Sequence, residues 1–338
     1  MSDRTTRRTG SIPVLLTGAL VLLIAACSPT PAAGDTGDEP LRLPVVEPMT
    51  AAGERLQVVA TTSIIGDVVR QVGSEAIDLT ILMQPGQDPH SYQPGAADLT
   101  AVADADLIFM NGWNLEEALV GDLVAIGRDA TVIPVSAGIV PRLLSEDDEH
   151  DGESHAHGPV DPHVWQSVPN VIRWVENIRQ VLSAADPANA TRYEANAAAY
   201  SRSLQRLDDD LRVTLAAIPE ERRVLVTNHD NLGYFADAYS FEVAGTIIPS
   251  ISSLAEPSAG ELARLIGAMR SRGICTLILE ATAAGQVART LKNELTDCDE
   301  VRLVMLYADA LGPPGSGAES YIGMMQTNAA ALVKGLNP

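Results

Sequence analysis

The chain has 338 residues, of which 46% are apolar, 20% charged and only 4% aromatic; this composition suits aliphatic-cored domains and excludes a chain disordered throughout. That length is more than one hydrophobic core usually serves, so two domains are expected. A formal net charge of −21 argues against nucleic-acid binding, which needs clustered Lys and Arg, and suits a cationic ligand.

At the start of the chain, Arg4, Arg7 and Arg8 precede an apolar run over residues 12–26 that ends at Cys27. The run is short for a membrane span, and a basic segment, an apolar segment and small residues before a cysteine read as a secretory signal. It resembles a bacterial lipoprotein signal, which implies removal of residues 1–26 and a lipid on Cys27. Such an anchor would hold the protein outside the membrane without a spanning helix. Residues 27–54, rich in Pro, Ala, Gly, Thr and Asp, read as a flexible tether.

From residue 55 onward, strand and helix patterns alternate. Strands are expected at 56–60, 78–83 and 107–110, and helices at 64–72, 96–103 and 115–126. A polar stretch at 145–160 is too hydrophilic to pack and is expected as an exposed loop. Helices follow at 169–183 and 187–217, the second opened by a proline tolerated at a first helical position. Leu204, Leu207, Leu211 and Leu215 give that long helix one apolar stripe. Beyond it, strands are expected at 223–227, 242–247, 274–280 and 301–307, with helices at 232–239, 258–272, 284–294 and 321–336. The pattern gives α/β architecture with mostly parallel sheets: an N-terminal lobe over 55–185, a linker helix over 186–218 and a C-terminal lobe over 219–338.

The six histidines fall into two groups. His150, His155 and His157 lie in the acidic loop, where they read either as a low-affinity metal collector or as incidental residues of a solvated segment. His90 and His163 each close an Asp-Pro-His triplet, and His229 follows an apolar strand. In each triplet proline stiffens the loop, and the aspartate can accept a hydrogen bond from imidazole or a backbone amide and fix the histidine's orientation. Imidazole suits zinc and its neighbours, and Asp309, at the end of a strand, is the natural carboxylate to complete the set. Separations of 73, 66 and 80 residues along this series exclude a local finger, so only tertiary folding can join the four. Cys275 and Cys298 read either as a disulfide, which an exported chain permits, or as two buried thiols.

From about residue 55 to 336 the chain resembles the metal-specific solute-binding proteins of bacterial ABC importers. The stretches that carry the resemblance are Ala60-Thr-Thr-Ser63, Asp88-Pro-His90-Ser-Tyr92, Asn111-Gly112 with Leu115-Glu116, Asp161-Pro-His163-Val-Trp165, Thr227-Asn-His229, Ser252-Ser-Leu-Ala-Glu256-Pro257, and Asp309 ahead of Tyr321. The resemblance implies two lobes joined by a rigid helix, with His90, His163, His229 and Asp309 as metal ligands in the cleft between them. It implies a monomer that hands its ion to an importer's permease, outside the membrane. A histidine at position 229 resembles the zinc binders of that family, whereas glutamate there accompanies manganese, the alternative cargo. Glu256 and Glu280 match recurrent positions with supporting rather than ligating roles. The chain departs from the family pattern at Gln166-Ser167-Val168-Pro169, where an acidic residue and an earlier proline are more usual. A zinc hydrolase is the rival from another class, weakened by the absence of His-Glu-x-x-His and by the available fourth ligand. A surface adhesin is a further alternative that no residue of the chain favours or opposes.

Overall fold

A computed structural model describes residues 40–50, 54–127, 130–143, 160–281 and 291–337. Cys27 and the loop histidines His150, His155 and His157 lie outside them. The N-terminal lobe is built on four parallel strands in the order β2-β1-β3-β4: β1 (Leu56–Ala60), β2 (Ile77–Ile81), β3 (Leu107–Met110) and β4 (Thr131–Pro134). Helix α1 (Ser63–Gly73) starts directly off β1, and the Thr62 hydroxyl accepts the Ile65 amide as its N-cap. Helices α2 (Ala96–Ala103) and α3 (Glu117–Ile126) follow β2 and β3. Strand β4 was not anticipated: it has four residues, Thr-Val-Ile-Pro, too few for a period to stand out.

Two short strands, β5 (Arg142–Leu143) and β6 (Val160–Asp161), pair antiparallel. Helices α4 (Val168–Ala185) and α5 (Ala190–Leu215) come next. The long helix begins at Ala190 because Pro187–Asn189 form a separate 3-10 turn. Its stripe of Tyr193, Ala197, Tyr200, Leu204, Leu207, Leu211 and Leu215 is buried, at the three- and four-residue spacing of a single helix face. Over 26 residues, about 39 Å, it packs on α4, on α1 and on the last helix, so one rod serves both halves of the molecule.

The C-terminal lobe holds two parallel strand pairs, β7 (Val224–Thr227) with β8 (Glu242–Thr246) and β9 (Thr276–Glu280) with β10 (Arg302–Leu306); β7 runs beside β9. Helices α6 (Gly233–Tyr239), α7 (Ala259–Arg272) and α8 (Tyr321–Leu336) complete it. Of the helix expected over 284–294, only 291–294 are described, and they are helical. Cys275 and Cys298 form a disulfide that joins the approaches to β9 and β10. No described helix is long and apolar enough to cross a membrane.

One expectation needs correction. Residues 40–50 do not behave as tether: Leu41, Leu43 and Val46 pack on the main core, Gly138 donates its amide to the Leu41 carbonyl, and Met49 donates to the carbonyl of Ala185. Three aliphatic side chains spaced among prolines lack any helical or strand period, which is why the segment read as linker.

The buried stripe of α5 generates a stability contrast on one helix. Leu204→Ala should lower unfolding free energy by about 2–5 kcal/mol, while Val213→Ala, at a position 77% exposed, should stay within about 0.5 kcal/mol. Denaturant midpoints at constant slope measure both.

Candidate metal centre

The four residues singled out in the sequence all sit at the carboxyl ends of strands. His90 lies in the loop after β2, His163 two residues after β6, His229 two residues after β7 and Asp309 three residues after β10. Such loops are where open α/β sheets place ligands. The structure brings one donor atom from each to within 4.8 Å of the others, and all four residues are buried. Nε2 of His90 and Nε2 of His163 are 3.2 Å apart, and Nε2 of His229 lies 3.5 Å from Oδ2 of Asp309. The three imidazole rings meet with centroids 5.3–5.5 Å apart and tilted planes, so their ring edges converge on one point.

Each histidine is held from behind. In Asp161-Pro162-His163 the aspartate does both things expected of it, since Oδ1 accepts the His163 backbone amide at 3.0 Å and lies 2.8 Å from its Nδ1. That pairing leaves Nε2 as the lone-pair donor toward the centre. In Asp88-Pro89-His90 the aspartate takes only the backbone role, with Oδ1 accepting the His90 amide at 2.9 Å. Behind His229 stands Glu280, the last residue of β9, with Oε1 2.7 Å from Nδ1. The Asn231 amide donates to both Glu280 and Asp309, at 3.1 and 3.2 Å, and spaces the two carboxylates.

The Asp309 segment is gripped by the opposite lobe. Trp165 Nε1 and Gln166 Nε2 both donate to the Ala308 carbonyl, and Leu311 donates its amide to the Ser63 hydroxyl. The Gln166 that departs from the family pattern therefore has a use here: it adds a second donor where Trp165 already binds. Glu280 was read from the sequence as a supporting residue. Asn231 was not singled out, and an asparagine two residues past a histidine carries no signal until the fold sets it between two acids.

Burial and charge oppose each other at the centre. Burial disfavours the charged imidazolium of His229, but Glu280 and Asp309 outweigh it and raise the pKa to about 9. Burial lifts the Asp309 carboxyl well above its ordinary range, reinforced by Glu280 and opposed by His229. Asp161 is raised to about 6 by burial, against the lowering effects of the His163 amide and Arg142. A divalent cation at the meeting point would replace protons as the neutralising charge.

Two expectations follow. In metal-free protein the His229 proton stabilises the fold fully below about pH 6.5, and that contribution is lost as pH rises through about 9. Thermal melts of metal-free protein between pH 6 and 10 should therefore fall with pH through that window, and calorimetry in buffers of different ionisation enthalpy should detect protons released on metal uptake near neutral pH. Separately, Glu280→Ala should weaken metal binding by roughly 10–100-fold, and Glu280→Gln by less because it retains an acceptor for Nδ1. Direct titration of each variant reads this out.

The chain matches the family described as "ZnuA: Zinc-uptake complex component A periplasmic" over residues 58–335. It is 36% identical over 285 residues to the manganese-binding lipoprotein MntA of Halalkalibacterium halodurans, covering 84% of this chain and 90% of that one. It is 31% identical over 292 residues to the manganese ABC transporter substrate-binding lipoprotein PsaA of Streptococcus mitis, covering 85% and 91%. Among solved structures, the periplasmic zinc binding protein TroA from Treponema pallidum superposes with a TM-score of 0.73 at 29% identity, covering 84% of this chain and all of that one. A Mn-bound periplasmic metal binding protein from Candidatus Liberibacter asiaticus gives 0.71 at 30% identity, with the same coverage. With its two α/β lobes, long helix and three-histidine, one-aspartate cluster, the chain belongs to the family of metal-binding, extracytoplasmic solute-binding proteins of ABC importers.

Proposed function

We propose that this protein captures Zn(II) through His90, His163, His229 and Asp309 and passes it to the permease of an ABC importer, without catalysing a reaction. The observation that carries the reading is the convergence of these four buried donors within 4.8 Å. Three imidazoles and a carboxylate match the borderline-soft, tetrahedral preference of zinc. A site of four protein ligands leaves no open position for an activated water, which opposes the hydrolase alternative. Capture and release, not chemistry, is what a closed coordination sphere between two lobes serves.

Manganese is the second reading, supported by the relatives named as manganese-binding proteins. A nitrogen-rich site binds zinc more tightly than manganese by intrinsic affinity, so selection for manganese would have to come from geometry or from what the surroundings supply. The lobes are divided as the sequence suggests, 55–185 and 219–338 about the helix linker at 186–218, and the protein acts as a monomer. The signal-like segment ending at Cys27 supports a lipid anchor on the outer face of a membrane, with the chain up to residue 39 as tether. The histidines at 150, 155 and 157 serve as a low-affinity collector.

Competitive titration of metal-free protein with Zn(II) and Mn(II) should give one tight site with zinc preferred. His229→Ala should lower zinc affinity by at least about 100-fold while the fold persists by circular dichroism. Retained affinity in that variant would remove His229 from the site, and tighter binding of manganese than zinc would reverse the choice of cargo.

A further inference from the structure

We propose that Ser253 and Arg142 are positioning residues that make the two N-terminal-lobe histidines depend on where the C-terminal lobe sits; this rests on His90 and His163 being metal ligands. In both Asp-Pro-His triplets, one carboxylate oxygen serves its own histidine and the other faces a group tied to the opposite lobe. Oδ1 of Asp88 holds the His90 amide, and Oδ2 accepts the Ser253 hydroxyl at 2.5 Å, besides the neighbouring Ser91 hydroxyl at 3.2 Å. Oδ1 of Asp161 holds His163, and Oδ2 faces Nη1 of Arg142 at 3.6 Å. Among the described residues neither Oδ2 of Asp161 nor Nη1 of Arg142 has a hydrogen bond, and both are buried, so each is the other's natural partner.

The two contacts lead back to the same place in the C-terminal lobe. Ser253 belongs to the segment after β8, which is fastened to the His229 loop by Ile248 donating to Asn228 and Asp230 donating to Ser250. Arg142 lies over the start of α6, four residues beyond His229. A β-carbon at Gly233 would come within 2.5 Å of the guanidinium carbon, and Nε of Arg142 is 3.5 Å from Oδ2 of Asp237 in the same helix. The Arg142 amide also donates to the Tyr234 hydroxyl at 2.7 Å. The His229 loop therefore reaches His90 through Ser253 and Asp88, and reaches His163 through α6, Arg142 and Asp161.

Rigid connection matters because a metal ligand must be aimed, and supporting groups that aim it commonly change affinity by 10–100-fold. When the lobes part, Asp88 loses the Ser253 hydroxyl, and Arg142, which faces Asp161 across the β5–β6 pair, loses the α6 contacts that hold its guanidinium in place, so both histidines lose part of what orients them. Release of the ion is thereby linked to separation of the halves, with no contact between Ser253 or Arg142 and the ion itself.

The test uses full-length protein loaded with Zn(II) and chased with excess chelator, together with visible spectra of the Co(II)-loaded protein, whose bands report ligand geometry. Ser253→Ala and Arg142→Gln should each speed zinc release by about tenfold and alter the Co(II) bands, with the metal-free fold retained by circular dichroism. Ser253→Ala should add nothing in an Asp88→Asn background, and Arg142→Gln nothing in an Asp161→Asn background, while the two effects multiply with each other. Gly233→Ala provides a variant that removes no polar group yet displaces the guanidinium, and it should speed release in the same direction. Release rates unchanged in all three single variants would overturn the proposal. So would multiplication of the Arg142→Gln and Asp161→Asn effects, which would show Arg142 acting by another route. Wild-type protein that takes up no zinc or cobalt would instead strike at the ligand assignment.

Discussion

Everything in this fold turns on placing acidic groups where water cannot reach them. Asp309, Asp161 and Glu280 are all buried, and Arg142, near Asp161, is the only Lys or Arg paired with one of them among the described residues. Isolated carboxylates in such surroundings are strongly disfavoured, so the C-terminal pair must share a positive charge, either protons on His229 and Asp309 or a metal ion. The protein is built to be incomplete without a cation. Its hydrogen bonds fix how that deficit is shaped, since Asn231 spaces two of the acids and the Ala308 carbonyl is clasped by Trp165 and Gln166.

The scaffold supplies rigidity for the same end. Parallel strands bring chain segments far apart in sequence to one edge, and α5 runs along both halves so that the two edges face each other. Neither lobe alone offers more than two of the four clustered donors, so the cluster can exist only while the halves are together. That is the arrangement a carrier needs, because affinity then depends on a global coordinate that a partner protein can change, and not on the chemistry of the ligands alone.

Most of the strands and helices were legible from their apolar runs and periods, and two of the four candidate donors stood out because Asp-Pro-His occurs twice. The aspartate-to-amide bond found in both triplets follows from the triplet itself, where a single proline separates acid and histidine, whereas the further bond to the His163 ring occurs in only one of them. What stayed hidden was whatever depends on contact between remote segments. Strand β4 and the β5–β6 pair are too short to carry a period, and Asn231 and Ser253 are polar residues in loops whose partners are known only after folding. The disulfide between Cys275 and Cys298 was left undecided for the same reason, since spacing alone does not say that β9 and β10 lie side by side.

The ordered segment at 40–50 bears on how the protein is produced. A recombinant version started at Arg55, where the first strand begins to read as structure, would lack the Leu41, Leu43 and Val46 side chains that pack against the core and the hydrogen bond from the Met49 amide to the end of α4. Leu41 reaches so close to Gly112 that a methyl group there would collide with it, which places its partly buried side chain directly against the packed core. Expression boundaries drawn near residue 39 would keep the domain whole, whereas a cut chosen from the strand pattern would leave a greasy scar on its surface.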